Sequence, residues 1–567
     1  MLAHRRMRKS PSTLAAALSA LPRGPARGFR FLGSDGQERY FPYEALEAEA
    51  QRRAGLLAQV GIEKGDRVAL VIPEGHEFVL SFLGAVLLGA VPVPIFPRAT
   101  FKASSDYTDT VRHIVEASES RLLIAMEANR SLVEALTAET DRPALLKQVV
   151  TVESLFAPEI SASEVRALPE ITPDDLCFVQ FTSGSTSRPK GVMVSHRNLI
   201  ANATAFLGPE GLDRRDEDVG VSWLPLFHDM GLIGFVLGPL IMDIPVVILP
   251  TASFARGPKI WLETIHKYRG TITYAPNFAY ALATKRLKQK DLDTLELSCL
   301  RVAGCGAEPI QAATLRAFAE ALAPAGLQAS ALLPSYGMAE ATLAITFHQR
   351  GQPLRTDRVD ALAMRSARAE PSTAADALEL VSCGRTFQDH ELVIVDEQGA
   401  RVTERVVGQI LVRGPSVSQG YYKNDEANAQ TFPSDGFLHT GDLGYLAEGD
   451  LFLCGRSKDL IIIRGANFHP QDLEWAVSDL EGVRRGNVVA FSTQLGGEER
   501  LVLAVECSSS DAETVRTRVA SRITEAFGLA PHEVVAVTLG GLPKTSSGKV
   551  QRKKTRDLYQ DRQLDRH

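Results

Sequence analysis

The stretch Leu176-Cys-Phe-Val-Gln180-Phe-Thr-Ser-Gly-Ser-Thr-Ser-Arg-Pro-Lys190-Gly191 begins as an apolar, strand-like run and turns into hydroxyls and glycines closed by a lysine. Hydroxyls and flexible backbone amides that follow a strand can wrap an anion, and a lysine adds a mobile positive charge. The segment therefore reads as a phosphate loop. It does not fit the usual G-x-x-x-x-G-K-[ST] pattern, because Pro189 precedes Lys190 and Gly191 follows it, which disfavours an ordinary P-loop ATPase. Taken alone, the same composition would also suit a Ser/Gly surface loop.

On either side of this stretch, short β-branched runs at 68–72, 246–249 and 271–274 alternate with helical patterns such as 43–60. That alternation is the mark of an α/β protein with mostly parallel sheets. From about residue 391 the spacing tightens into strands and turns, as in Glu391-Leu-Val-Ile-Val-Asp396 and Gln409-Ile-Leu-Val-Arg413, predicting a small β-rich subdomain at about 385–455. After Gly455 a smaller α+β unit is expected, with strands at 460–463, 501–505 and 534–537 and a helix at 470–480. The expected domains are thus 1–455 and 456–567. A biased segment rich in Ala, Arg, Asp and Thr occupies 351–377.

A chain of 567 residues has room for two or more cored domains. Its 62 basic and 68 acidic residues leave a net charge of −6, which gives no electrostatic footprint for nucleic acid. Cys177, Cys299, Cys305, Cys383, Cys454 and Cys507 lie far apart with no Cys-x-x-Cys pair, so reduced thiols and a cytoplasmic location are expected. Arg5, Arg6, Arg8 and Lys9 ahead of the small-residue run 14–21 superficially resemble a secretion signal, but the run is short and Ala-rich, and a frayed tail leading into an amphipathic helix accounts for it better. The apolar stretches 78–96 and 231–250 approach membrane-spanning length. Pro92, Pro94, Asp243 and Pro245 interrupt them, so each is expected to be a buried helix, a turn and a buried strand, with no stable membrane insertion.

The loop Thr182, Ser183, Gly184, Ser185, Thr186 through Lys190 and Gly191 resembles the phosphate-binding motif of the adenylate-forming superfamily of acyl-CoA synthetases, luciferases and peptide-synthetase adenylation domains. Four further family motifs follow in order: Ser335-Tyr336-Gly337-Met338-Ala-Glu340, Thr440-Gly-Asp442, Gly455-Arg456-Ser-Lys458-Asp459 and Pro543-Lys-Thr-Ser-Ser-Gly-Lys549. The resemblance implies that ATP is the cosubstrate and AMP the activating moiety. Tyr336 would stack on adenine beside Ser335, Gly337 and Met338. Glu340 would hold Mg2+, Asp442 both ribose hydroxyls, and Arg456 would contact the ribose, with Lys458 as the pivot between an adenylating and a thiolating pose. Lys549 would bridge the attacking carboxylate and the α-phosphate while Lys190 holds the leaving phosphates, which is the charge neutralisation that phosphoryl transfer needs. One departure is Ala339, where many members have Thr; the lost hydroxyl contact is expected to be missing or supplied elsewhere, as by Thr342.

Within the superfamily, Ser222-Trp-Leu-Pro-Leu-Phe-His228-Asp229-Met-Gly231, Gly304-Cys-Gly306-Ala307-Glu308-Pro309 and Asp459-Leu-Ile-Ile-Ile-Arg464-Gly-Ala-Asn467-Phe-His-Pro470 resemble fatty acyl-AMP ligases. The resemblance implies activation of a long-chain fatty acid, His228 at the carboxylate, and transfer to the phosphopantetheine thiol of an acyl carrier protein or polyketide synthase rather than to coenzyme A. It also makes 351–377 a family-specific insertion that restrains the C-terminal domain; the plainer alternative is a tolerated surface loop. Trp223, Leu226, Phe227, Met230, Ile233, Phe278 and Tyr280 are candidate walls of the acyl tunnel. The end of the chain, 543–567, carries eight Lys and Arg against three Asp, which suits either an acidic carrier protein or plain solvation. Two competing readings are a long-chain acyl-CoA synthetase and a catalytically silent adenylate-binding scaffold.

Overall fold

A computed structural model describes residues 11–33, 35–97, 105–137, 143–158, 160, 168–182, 189–495, 498–545 and 548–567. Among them, nine strands form the largest sheet, in the order Arg385–Thr386, Ala344–Phe347, Leu332–Gly337, Val302–Cys305, Ile272–Ala275, Gly220–Ser222, Val246–Ile248, Gly28–Leu32 and Glu38–Pro42. The six strands from Leu332–Gly337 to Gly28–Leu32 run parallel, and antiparallel strands close both edges. Parallel strands buried on both faces need uninterrupted apolar runs, and Val-Val-Ile at 246–248 and Ile-Thr-Tyr-Ala at 272–275 supply them. A second sheet, Val91–Pro94, Arg67–Leu70, Leu122–Ala125 and Gln148–Thr151, is entirely parallel.

Both long apolar stretches resolve into helix, turn and strand. The first gives helix Gly75–Leu87 and strand Val91–Pro94. The second gives the helical turns Asp229–Leu232, Ile233–Leu237 and Gly238–Met242, a left-handed residue at Asp243 and the strand Val246–Ile248. No described helix is long and apolar enough to cross a membrane. The run at 14–21 forms the expected helix: Leu14–Ser19 buries Leu14, Ala17 and Leu18 in the main core, and the Leu14 amide donates to His196 Nδ1 at 3.1 Å.

The antiparallel four-stranded sheet Glu391–Val395, Gly408–Arg413, Leu438–Ala447 and Asp450–Arg456 follows. Beyond it, the three-stranded sheet Val488–Leu495, Glu498–Glu506, Glu533–Val537 has a core of its own. Helices Pro470–Val477 and Ala512–Phe527 cover one face through Leu473, Val477, Val515, Val519 and Ile523. Helix Arg552–Gln560 covers the other through Leu558 and Tyr559.

The biased segment 351–377 is structured. Strand Thr356–Val359 pairs antiparallel with Leu378–Val381, and the short helix Ala361–Met364 lies between them. Val359, Met364 and Ala369 are buried against Tyr445 and Phe452. Arg365 leaves this packing and reaches the C-terminal unit: its guanidinium donates to the Phe527 carbonyl at 2.8 Å and lies 5.1 Å from the Phe468 ring centre. The Asn467 amide donates back to the Arg365 carbonyl at 3.2 Å.

Candidate active site

The phosphate-loop sequence is flanked by two antiparallel strands. Strand Leu176–Thr182 pairs with Lys190–Ser195, and Thr182 stands opposite Lys190 at the mouth. Ser183, Gly184, Ser185 and Thr186 lie outside the described residues. Gly191 is required by its position: a Cβ there would sit 2.7 Å from Val179 Cγ1 and 2.9 Å from the Phe181 ring. The returning strand is held on its other side by residues 420–422, where Met193 N donates to Gly420 O at 2.9 Å and Tyr422 N to Gly191 O at 2.8 Å. The Lys190 ammonium lies 5.0 Å from the centre of the Tyr421 ring.

Strand Leu332–Gly337 ends at the same place. Its last residues, Ser335, Tyr336 and Gly337, line a cavity, and a bulge between Tyr336 and Gly337 shifts the register with the next strand, so that Gly337 pairs with Ala344. Met338 is extended and the chain tightens into the turn Ala339–Ala341, which carries Glu340. Glu340 is buried; its Oε1 accepts from Tyr421 Oη at 2.7 Å and its carbonyl from the Ser418 amide at 2.9 Å. Burial pushes its carboxyl above the usual range against the pull of that phenol. Thr342 does not take over the contact missing at Ala339. It is fully buried, at φ +68°, and donates its hydroxyl proton to the Ser416 carbonyl at 2.7 Å.

The turn after strand Val302–Cys305 brings in Gly306 and Ala307, both on the cavity wall, with Ala307 at φ +69°. Glu308 follows and accepts the Phe278 amide at 2.6 Å, at the start of helix Asn277–Arg286. Asp442 and Arg456 are register partners on adjacent antiparallel strands, 3.3 Å apart at Oδ1 and Nε, and Tyr336 Oη donates to Asp442 Oδ2 at 2.6 Å. The aromatic residue and the carboxylate assigned to opposite ends of a nucleoside are thus one hydrogen-bonded unit. Lys458 is exposed on the turn Ser457–Asp459, where the chain leaves the four-stranded sheet.

Lys549 arrives from the C-terminal unit on a tight turn. Thr545 N donates to Lys549 O at 2.7 Å and Lys549 N to Thr545 Oγ1 at 3.1 Å, with Gly548 at φ +89°. Its ammonium is held below the ordinary lysine range by burial, with the Glu308 and Asp229 carboxylates opposing that shift and Arg456 adding to it. His228 is pushed down to about 4 by burial and by Lys549, so near neutrality it is an uncharged hydrogen-bonding ring. Burial raises the Asp229 carboxyl, with Lys549 counteracting. Contacts and charge interactions link these groups: Lys190 to Glu340 through Tyr421, Tyr336 to Asp442 and on to Arg456, and Lys549 to His228, Asp229, Glu308 and Arg456.

Tyr336 and Asp229 also line a largely apolar cavity. Asp229, Gly306 and Tyr336 stand at one part of its wall; Phe206, Leu212, Phe235, Ile244 and Phe347 form the apolar remainder. Of the candidate tunnel residues, Met230 is on the wall. Trp223, Leu226, Phe227, Ile233, Phe278 and Tyr280 are not. Trp223 stacks on Phe254 at 3.7 Å, and Tyr280 donates to the Gly304 carbonyl at 2.6 Å, so both serve the core. The wall residues overlooked in the sequence come from helix His196–Leu207, the turn Ile233–Leu237, strands Ile272–Ala275 and Ala344–Phe347, and connecting residues such as Leu212 and Ile244, whose apolar patterns look like any core element.

Residues 23–422 match the AMP-binding enzyme family. The chain is 32% identical over 541 residues to the medium-chain-fatty-acid–[acyl-carrier-protein] ligase JamA of Moorena producens, covering 92% of this chain and 90% of that protein. It is also 32% identical, over 94% of both chains, to fadD25 of Mycobacterium tuberculosis, which carries a provisional fatty-acid–CoA ligase name. A solved structure from work on fatty acyl-adenylate ligases of E. coli and L. pneumophila superposes with a TM-score of 0.89 at 35% identity, covering 97% of this chain and 98% of that one. The protein belongs to the family of AMP-binding enzymes. It is an adenylate-forming, ATP-using ligase.

Proposed function

We propose that the enzyme joins a long-chain fatty acid to AMP and then passes the acyl group to the phosphopantetheine thiol of a carrier protein. The observation that carries the first half is the apolar cavity whose lining includes Asp229, Gly306 and Tyr336, with Lys549 close enough to interact with the Asp229 carboxylate. An alkyl chain entering it gains about 0.8 kcal/mol per buried methylene, and its carboxylate is left at the polar mouth. There it attacks the α-phosphorus of ATP: a carboxylate-oxygen to phosphorus bond forms, the bond to the β-phosphate oxygen breaks, and pyrophosphate leaves. Lys549 offsets the negative charge of the two approaching anions, Lys190 that of the departing phosphates, and neutral His228 orients the carboxylate by hydrogen bonding without competing for its charge. Tyr336, Asp442 and Arg456 hold the nucleoside.

The site fits Mg2+. Among the described residues there is no cluster of three His, Cys, Asp or Glu able to hold a metal unaided, but a single buried carboxylate, Glu340, suits an ion that takes most of its other ligands from nucleotide phosphates and water. When bound it would neutralise phosphate charge.

The second half is supported by the insertion. Arg365 ties residues 351–377 to Phe527 and Asn467 of the C-terminal unit, as a brake on reorientation requires. The test is to supply ATP, magnesium and an acid of about C12 to C16, then coenzyme A or a holo carrier protein. Acyl transfer to the carrier with little acyl-CoA is expected, and Arg365→Ala should raise the acyl-CoA yield several-fold. Efficient acyl-CoA formation by the unaltered enzyme would overturn the carrier assignment in favour of a CoA ligase.

A further inference from the structure

We propose that Tyr421 is a positioning residue that locks the metal-binding carboxylate Glu340 to the strand carrying Lys190, so that ion and lysine meet the leaving phosphates in fixed register. The inference rests on the adenylation reading above and extends it to a residue outside the five motifs. Three contacts converge on this one residue. Its hydroxyl donates to Glu340 Oε1 at 2.7 Å. Its ring lies 5.0 Å from the Lys190 ammonium. Its backbone is bridged antiparallel to Val192, two residues beyond Lys190.

Tyr421 has little freedom to do otherwise. It is 6% exposed, packs edge-on against Phe432 with ring centres 5.6 Å apart, and exchanges backbone hydrogen bonds with the Asn428 side chain: Tyr421 N to Oδ1 at 2.6 Å and Nδ2 to Tyr421 O at 2.9 Å. The neighbouring Ser418 amide holds the Glu340 carbonyl. Backbone and side chain of Glu340 are therefore both fixed by the segment 418–421. A tyrosine hydroxyl occupying one carboxylate oxygen leaves the other for an ion, and groups that orient a metal ligand in this way typically govern affinity by about 10- to 100-fold. The same ring gives the Lys190 ammonium a cation–π seat that limits its wandering.

The two roles separate by substitution. Tyr421→Phe keeps the ring and removes the hydroxyl; Tyr421→Leu removes both. With Mn2+ as the probe, free-ion EPR in the presence of a non-hydrolysable ATP analogue reads metal binding without turnover. Tyr421→Phe should weaken Mn2+ binding by roughly tenfold and raise the Mg2+ concentration for half-maximal pyrophosphate release by a similar factor, with KM for ATP at saturating Mg2+ nearly unchanged. Tyr421→Leu should in addition raise that KM. Glu340→Gln provides the cross-check: adding Tyr421→Phe to it should change metal binding no further, because the hydroxyl acts through that carboxylate. Unaltered metal binding in Tyr421→Phe, or full additivity in the double variant, overturns the proposal; this holds whatever the variants' melting temperatures, since non-additivity is a comparison within folded protein. Absence of pyrophosphate release from the unaltered enzyme would instead overturn the adenylation reading.

Discussion

The two sides of the active site are built in opposite ways. On the sheet side, Ser335, Tyr336, Glu340 and Thr342 are all less than a tenth exposed, and each is committed to at least one hydrogen bond inside the domain. On the C-terminal side, Lys549 comes in on a turn held by its own hydrogen bonds to Thr545, with Gly548 and Lys544 exposed. The groups proposed to hold the nucleotide thus sit in a buried wall, and the proposed charge-delivering lysine comes from a separate element. Such a division would suit the two-step reaction proposed above, in which the adenylate is held in place while the lysine that helped to make it gives way to a thiol.

The comparison breaks most sharply at Lys549. Lys549→Ala should lower the rate of adenylate formation by about two to three orders of magnitude, the usual cost of one charge-stabilising donor. ATP affinity, measured by calorimetry, should change little, because the sheet side holds the nucleotide. An equal loss of ATP binding would show that the delivered lysine belongs to the rigid half after all.

A smaller effect is expected at Gly234 on the cavity wall. A Cβ there would meet only Leu343 Cδ2 at 3.7 Å, so a large side chain has room to grow into the tunnel. Gly234→Trp should cut kcat/KM for a long-chain acid by about one to two orders of magnitude while sparing a short-chain acid. Equal losses on both would mean that the cavity does not receive the chain.

The smallest effect concerns acid stability and spans both sides. Burial pushes His196, His228 and His469 to about 4, from the ordinary 6.5. The unfolded chain binds more protons than the folded one between these values, so the contribution of these rings is fully present above pH 6.5 and is lost as pH falls towards 4. His196 shows why, since its Nδ1 must stay unprotonated to accept the Leu14 amide. The melting temperature should fall between pH 7 and 5, and His196→Asn should flatten that fall. An unchanged slope would remove this ring from the account.

The site residues are legible in the sequence through their resemblance to short family motifs, which keep them at fixed spacing. Tyr336 and Glu340 lie on one strand and its following turn, and Asp442 and Arg456 were foreseen as ribose contacts from their own motifs. The alternation of β-branched runs with helical periods gave the parallel sheets; Asp243 and Pro245 fall where helix gives way to strand, whereas Pro92 and Pro94 lie inside the strand Val91–Pro94. The tunnel was not legible. Trp223 and Tyr280, the aromatic residues nearest the motifs, went to the core, and the wall came from Phe206, Leu212, Ile244 and Phe347, which no local pattern distinguishes from packing.

What the sequence determined by itself, then, is a phosphate-handling loop, since charge and backbone freedom are written residue by residue; acid activation is what the resemblance of its ordered motifs to the adenylate-forming superfamily implies. Three things were decided only by the tertiary structure. A π-helical turn at Ile233–Leu237 puts Gly234 and Phe235 on the cavity wall. Tyr421 is brought from 81 residues away to the Glu340 carboxylate. The segment 351–377, a compositional oddity in the sequence, reaches across through Arg365 to the C-terminal unit. Each depends on which apolar faces pack against which, and packing is a property of the whole chain that no short stretch encodes.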